Sequence, residues 1–206
     1  GETSRTTAHL TQIIDMRLED LVNDFGDKNA RLVLDGGRVA MDMIEGITDT
    51  LQIDCDFRRL PGYLHASYSG IEDERPDLRR EAELANELGI AAEYVENVPL
   101  SIMGKPGVRY PGQAHFQPLA YLHGIAEYLQ SAGVPIFEQT EVTDFDDDGF
   151  TLRGEKFSVR CGHTLIATHV PLQGRNSMFP ALMLQSKLYP YTSYALEAQI
   201  APEGFA

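Results

Sequence analysis

Three aspartates in the second half of the chain match a calcium-binding pattern. Asp144, Asp146 and Asp148 precede a glycine and Glu155, at the spacing with which an EF-hand loop places oxygen ligands around calcium. An EF-hand loop joins two helices, whereas the residues on both sides of this one alternate as strands do, and its eighth position is Thr151 rather than an aliphatic residue. Asp and Gly also suit tight turns. We interpret the segment as the turn of a hairpin and keep a calcium-binding module as an alternative.

Other metal sites, phosphate-binding loops and nucleophile motifs have little support in the sequence. Six histidines, at positions 9, 65, 115, 123, 163 and 169, form no pair at helical metal-binding spacing. Cys55 and Cys161 lie far apart without a C-x-x-C pair, which excludes a disulfide framework and a thiolate zinc site and favours a reducing, cytoplasmic compartment. The chain has no phosphate-binding G-x-x-x-x-G-K-[ST], no G-x-G-x-x-G at a strand-to-helix turn and no G-x-S-x-G elbow. We therefore predict no metal site.

Composition excludes several classes of protein. The 206 residues are 43% hydrophobic, and 17 basic against 31 acidic side chains give a net charge of −14. Nucleic acid is an unfavourable partner for so acidic a chain, because affinity for phosphate backbones comes from Lys and Arg. No apolar run approaches the ~18 residues of a membrane span. The start at Gly1, without a signal-like segment, predicts a piece of a longer protein rather than a secreted precursor.

Several helices and strands can be predicted from periodicity. The hydroxyl-rich segment 1–9 reads as a loop suited to turns and anion contacts. Helices are predicted at 17–25 and 27–53, with a possible kink at Gly36–Gly37, and again from Pro76 to Gly89. A further helix runs from Pro118 to Gly133, and its predicted buried stripe is Leu119, Leu122, Ile125, Ala126 and Leu129.

The predicted strands complete a mixed α/β (α+β) fold. They are 57–67, interrupted by a turn or bulge at Pro61–Gly62, then 134–145, a hairpin over 150–160, the apolar segment 164–169, and 189–200. The segment 164–169 has the profile of a strand that is buried on both faces.

Taken together, six segments resemble the flavoprotein oxidoreductases of the glycine oxidase, sarcosine oxidase and D-amino-acid oxidase superfamily, in the branch often fused to a Rieske domain. They occur in family order: G-E-T-S-R-T-T-A-H-L-T (1–11), I-D-C-D-F (53–57), R-Y-P-G-Q-A-H-F-Q-P-L-A-Y-L (109–122), F-E-Q-T-E-V-T-D (137–144), T-L-I-A-T-H-V-P (164–171) and Y-P-Y-T-S-Y-A-L (189–196).

The resemblance implies an interleaved domain organisation. Residues 1–56 and 112–172 would be part of an FAD-binding domain, and 57–111 and 173–206 part of an antiparallel-sheet substrate domain. In relatives the glycine-rich turn and helix N-terminus that hold the FAD pyrophosphate precede the segment matching Gly1. We therefore expect this central fragment to retain little FAD and to be inactive by itself.

The resemblance also implies site residues. Thr6, Thr7, Ala8 and His9 match the loop that passes the pyrophosphate and flavin ring. Glu141 and Val142 match the strand whose backbone meets the adenine. Ala167, Thr168 and His169 match an Ala-Thr-Gly strand end beside the dinucleotide, with His in place of Gly.

For the substrate, relatives oxidise an amine carbon by hydride transfer to flavin, and the protein supplies orientation. Arg and Tyr suit a substrate carboxylate. The candidates for contact with an amine or amino-acid substrate are Arg58, Arg59, Tyr63, Tyr191, Tyr194 and His115. Gln113, His115 and Phe116 match a segment that leads from the substrate domain back to the flavin domain, where they either contact a ligand or form a turn packed under the next helix. A non-catalytic interaction domain that engages a basic partner through its acidic surface is a further alternative, and the sequence leaves the oligomeric state open.

Overall fold

A computed structural model of the chain describes residues 2–67, 73–99, 104–146 and 149–167. They divide into a larger unit that ends at Val134 and a smaller unit that begins at Pro135. In these ranges, no helix is both long and apolar enough to cross a membrane. The predicted strand at 189–200 lies outside the described residues.

The larger unit is built on a four-stranded antiparallel sheet. Its strands are β1 (His9–Leu10), β2 (Arg58–His65), β3 (Glu93–Val95) and β4 (Gly107–His115), and β4 pairs with each of the other three. The register of β2 against β4 shifts between Leu60 and Gly62. Because Pro61 has no backbone N–H for the ladder, this irregularity lies where the sequence predicts it.

The first helix, α1 (Leu18–Leu51), contains one break. Gly26 has φ 75° and ψ 157°, outside the helical region, so two helical segments meet there. The division between the predicted helices 17–25 and 27–53 is therefore confirmed, whereas the possible kink at Gly36–Gly37 is wrong because the helix continues through both glycines. At Gly37 a Cβ would lie 2.8 Å from Cα of Gln12, so glycine serves there to let the preceding loop pass close to the helix.

Two shorter helices, α2 (Arg75–Glu87) and α3 (Pro118–Ser131), agree with the predictions. Leu78, Ala82 and Ala85 of α2 pack with α1 and the sheet in the main core, and Gly89 follows the helix with φ 92°.

The predicted apolar stripe of α3 is only partly right. Leu119 and Leu122 are exposed, and Tyr121 is buried against Phe116 with ring centroids 5.4 Å apart. A Cβ on Gly124 would lie 2.7 Å from Ile53, so close packing at glycine sets which face of the helix is buried.

The smaller unit contains a three-stranded antiparallel sheet of β5 (Asp144–Phe145), β6 (Thr151–Arg153) and β7 (Ser158–Arg160). The predicted hairpin is confirmed. The strand predicted at 134–145 is wrong except for β5. The Thr143 N–H donates to the Arg153 carbonyl at 2.8 Å, but residues 134–143 form no strand.

The prediction of a buried strand at 164–169 is also not met over its described part. Residues 164–167 form no strand, and Leu165 is 91% exposed. A strand that is apolar on both faces needs neighbours on both faces. No described strand pairs with this segment.

Candidate functional site

A cavity of about 270 Å³ lies in the larger unit between the sheet, the loop that precedes α1, and α2. Its polar lining includes His9 of β1, together with Thr11 and Asp15 of the loop. Tyr63 lies on β2, Tyr110 and Gln113 on β4, Glu81 on α2, and Arg17 directly before α1. The cavity therefore brings together side chains that are distant in sequence.

Gln113 fixes the loop after β1 to the central strand. Its side chain is 1% exposed, and its Oε1 accepts hydrogen bonds from the Thr11 hydroxyl and the Gln12 backbone N–H, both at 2.8 Å. A Cβ at Gly62 on the neighbouring strand would lie 2.9 Å from Cγ of Gln113, so the glycine leaves room for this side chain. Gln113 is thus a positioning residue for the cavity wall.

Glu81 is a buried carboxylate at the N-terminus of α1. Both of its oxygens lie 3.3 Å from the backbone nitrogen of Leu18, so a side chain of α2 accepts a hydrogen bond from the first turn of α1. Burial raises the pKa of Glu81, and the Leu18 N–H and the positive charge of Arg17 oppose that rise. Arg17 also forms an ion pair with Glu74 at 3.4 Å.

Three polar atoms of the lining residues have no hydrogen-bond partner in the described part of the chain. They are Nη1 of Arg17, Oη of Tyr110 and Nε2 of Gln113, and each is shielded from solvent. Burial, and then the charge of Glu81, raise the pKa of Tyr110, so its hydroxyl keeps its proton. All three groups can donate hydrogen bonds, and buried donors are seldom left unpaired. The wall is chemically suited to a group with acceptor oxygens, such as a carboxylate.

A sequence model of the family described as FAD dependent oxidoreductase matches residues 1–204 of the chain. The chain belongs to this family. The family resemblance predicted from the six ordered segments is thereby confirmed. A protein of Bacillus subtilis (strain 168) named as a Rieske 2Fe-2S iron-sulfur protein, YhfW, is 27% identical over 191 residues, which are 92% of this chain and 37% of that protein.

Two solved structures show the same fold. The crystal structure of glycine oxidase from Geobacillus kaustophilus has a TM-score of 0.59 at 19% identity and covers 78% of this chain and 43% of its own. That of glycine oxidase from Bacillus cereus ATCC 14579 has a TM-score of 0.51 at 16% identity, with 77% and 42% covered. The mixed α/β class is confirmed. The chain spans less than half the length of each of these relatives, and the domain boundaries stay predictions.

The residues predicted to contact the substrate differ in their surroundings. Tyr63 lines the cavity. Arg58 is exposed and bound to Asp56 at 2.6 Å. His115 is half-buried at the end of β4. In the strand register it lies opposite His9 of β1 and opposite Arg58 of β2. Tyr191 and Tyr194 lie outside the described residues.

The guanidinium of Arg59 joins the sheet to helix α1. It bridges Asp42 and Glu45 of α1 at 2.7 and 2.6 Å and donates to the Gly112 carbonyl. These partners, Glu45 foremost, raise the pKa of Arg59. With its donors engaged in joining sheet and helix, Arg59 is a poor candidate for substrate contact.

The cofactor residues predicted in the opening segment lie at the surface near the cavity. Thr6 and Thr7 are exposed, and the Thr6 hydroxyl oxygen accepts a hydrogen bond from the Ala8 N–H at 3.2 Å. Ala8 has a φ of 62°, and His9, next along the chain, lines the cavity. Exposed hydroxyls fit the phosphate oxygens of a dinucleotide, so this segment is chemically compatible with FAD.

The other predicted cofactor residues belong to the smaller unit. Glu141 and Val142 are exposed and lie outside a strand, contrary to the prediction for that segment, and Ala167 is exposed. Thr168 and His169 lie outside the described residues. Val142 and Ala167 line an apolar cavity of about 420 Å³ together with Phe145, Phe150 and Leu165.

The calcium alternative meets two obstacles in this unit. The loop from Asp144 joins strands β5 and β6 rather than two helices. The Asp146 carboxylate accepts three hydrogen bonds from the Arg153 guanidinium, the shortest 2.7 Å. Its oxygens are therefore already paired with a positively charged side chain. In the described ranges, which leave out residues 147 and 148, no cluster of three potential metal ligands is present.

Sequence reasoning missed Arg17, Glu81 and Tyr110 as site residues. One signal was available for Glu81, because it occupies the same face of its helix as Leu78, Ala82 and Ala85. An acidic residue on a buried stripe needs a partner. No comparable signal marked Tyr110, whose importance comes from its position beside Glu81 and Arg17.

Proposed function

We propose that this chain is the central part of an oxidoreductase that uses FAD to oxidise an amine or amino acid by hydride transfer to the flavin. The observation that carries the proposal is the match of the FAD dependent oxidoreductase family over residues 1–204. The fold shared with glycine oxidases and the polar cavity in the larger unit support it.

Thr6 and Thr7 are the residues of the larger unit proposed to hold FAD. Their exposed hydroxyls can donate to phosphate oxygens, and the Thr6–Ala8 hydrogen bond fixes the backbone between them. The bound cofactor would supply the hydride acceptor, while the protein supplies binding and orientation.

The cavity is proposed to form part of the substrate site. Arg17 offers a positive group and Glu81 a negative one, as a zwitterionic amino acid would require of its binding site. Tyr110 and Gln113 add uncharged donors for the carboxylate oxygens. This set of groups favours an amino acid over an amine without a carboxylate.

Two further expectations accompany the proposal. This chain alone retains little FAD and is inactive, because the family's glycine-rich phosphate-binding turn is not among its residues. The protein acts in the cytoplasm, in keeping with two free cysteines.

The experiment is to purify the intact protein and follow its flavin absorbance while amino acids and simple amines are added without oxygen. Bleaching of the oxidised flavin by amino acids is the expected result. Tyr110→Phe is expected to raise the substrate concentration needed for bleaching, and Lys156→Gln in the smaller unit serves as the control. A flavin that no amine reduces would contradict the proposal and favour the non-catalytic acidic interaction domain.

A further inference from the structure

The floor of the cavity in the larger unit changes from polar to apolar along strand β2. Gly62 pairs with Tyr110 in the strand register, and a Cβ at Gly62 would lie 2.9 Å from Cγ of Gln113. Leu64, two residues further along, lies on the same face of the strand and pairs with Val108, which is fully buried. The donors of Tyr110 and Gln113 therefore lie beside one part of the floor, and aliphatic side chains lie beside the next.

The loop before α1 adds apolar side chains to the cavity wall. Ile13 lines the cavity and, like Leu64, packs against the main core. Ile14 and Met16 also line it, and they are 39% and 38% exposed. Exposed apolar side chains at a cavity are removed from water when an apolar group binds beside them, and this favours such a ligand.

The volume of the cavity indicates a ligand larger than glycine. An apolar cavity of about 150 Å³ is large enough to hold benzene. The cavity of about 270 Å³ therefore has room for a side chain in addition to the carboxylate and ammonium groups that every amino acid carries.

The charges at the cavity disfavour a charged side chain on the ligand. Glu81 is 4% exposed, and Asp15 also lines the cavity, so an acidic side chain would meet two carboxylates. A basic side chain could pair with Asp15 only at the surface, because Asp15 is exposed. Ion pairs in water contribute little to binding.

We propose that the cavity selects amino acids with an aliphatic side chain, of the size of valine to leucine, over glycine and over amino acids with charged side chains. The inference rests on the proposed function and names the substrate class of the same site. The unpaired donors of the polar part bind the carboxylate, while Ile13, Met16 and Leu64 contact the aliphatic side chain.

The first test measures the binding of amino acids to the 206-residue chain by isothermal titration calorimetry without flavin. The described lining residues lie between positions 9 and 113, so this chain contains them. Each buried methylene should strengthen binding roughly fourfold. Leucine, measured as both enantiomers, is therefore expected to bind at least about tenfold more tightly than glycine, with alanine and valine between them.

Glutamate and lysine complete this series and are expected to bind more weakly than leucine. Three results would each overturn the proposal. They are equal binding of glycine and leucine, tighter binding of a charged amino acid, and no detectable binding of any of them.

The second test changes one apolar side chain of the wall. Met16→Gln is expected to weaken leucine binding about threefold and to leave glycine binding unchanged, because only leucine reaches this side chain. Met43→Gln, the same change at an exposed position of α1, is the matched control and should alter neither. Tyr110→Phe should weaken both ligands by a similar factor, since it removes a donor to the carboxylate. Unchanged leucine binding in folded Met16→Gln would contradict the proposed contact.

Flavin reduction in the intact protein separates this inference from the proposed function. Bleaching at lower concentrations of leucine than of glycine supports both. Bleaching at lower concentrations of glycine would overturn the selectivity and leave the oxidoreductase. Selective leucine binding in a protein whose flavin no amine reduces would overturn the proposed function and leave the cavity as a binding site for aliphatic amino acids.

Discussion

Apolar sequence patterns have different outcomes in the larger and smaller units. In the larger unit, alternation at 57–67 and helical periodicity at 76–89 become β2 and α2, packed in one core with Leu78 fully buried. In the smaller unit the apolar segment 164–167 forms no strand and Leu165 is exposed. An apolar pattern indicates that a segment can be buried, and the rest of the fold decides whether it is.

The sharpest test of this comparison is a pair of leucine truncations. Leu78→Ala removes a side chain that α1, α2 and the sheet enclose, and it should lower the free energy of unfolding by about 2–5 kcal/mol. Leu165→Ala should change it by less than about 0.5 kcal/mol. Denaturant titration of both variants measures the difference. Similar losses in both would mean that 164–167 is packed in solution.

The second prediction concerns the wall of the cavity. Gln113→Leu should cost about 1–3 kcal/mol of unfolding free energy, because the Thr11 hydroxyl and the Gln12 N–H lose their shared acceptor. Tyr110→Phe should cost less, since the Tyr110 hydroxyl has no described partner. Thermal unfolding in the absence of ligand distinguishes the two. A larger loss for Tyr110→Phe would show that its hydroxyl is paired in solution.

The sequence was sufficient for the helices and for β2 because their signals are local, whereas β1, β3 and β4 of the main sheet were not predicted. Pro118 and Gly133 bound α3, and Pro61–Gly62 mark the irregular register of β2. The helix break at Gly26 was also predicted, as the division between the helices 17–25 and 27–53. That Gly36–Gly37 continue the helix depends on packing, since Gln12 lies against Gly37.

The cavity was largely beyond sequence reasoning. Tyr63 was predicted, and His9 was assigned to the cofactor. Arg17, Glu81 and Tyr110 meet only because α2 and β4 converge at the start of α1. The resemblance supplied the family, and the pairing of distant side chains required the fold.

The third prediction uses the pKa of Glu81. Because burial raises it in the folded state, the contribution of Glu81 to stability is complete below the ordinary pKa of glutamate and declines as the pH rises through the raised value. Glu81→Gln cannot ionise and should remove this decline. Unfolding free energies of both proteins across that pH range provide the measurement. Parallel pH profiles would show that the carboxylate is not destabilised by burial.

The smallest change in stability is expected for Asp146 in the smaller unit, where the pKa shift is opposite in direction to that of Glu81. The Arg153 guanidinium lowers the pKa of Asp146, so the stabilisation is present above the ordinary pKa of aspartate and is lost as the pH falls through the lowered value. Asp146→Asn should therefore reduce stability slightly at neutral pH and flatten the acid side of the profile. Salt should weaken the native pair, because both partners are exposed.

Chemical shift titration of the Asp146 carboxyl by NMR measures its pKa directly. An unshifted pKa would mean that the ion pair does not persist in solution. In that case the three aspartates would be free to meet a cation, and calcium titration of the native chain against Asp146→Asn would become the deciding measurement for the hairpin loop.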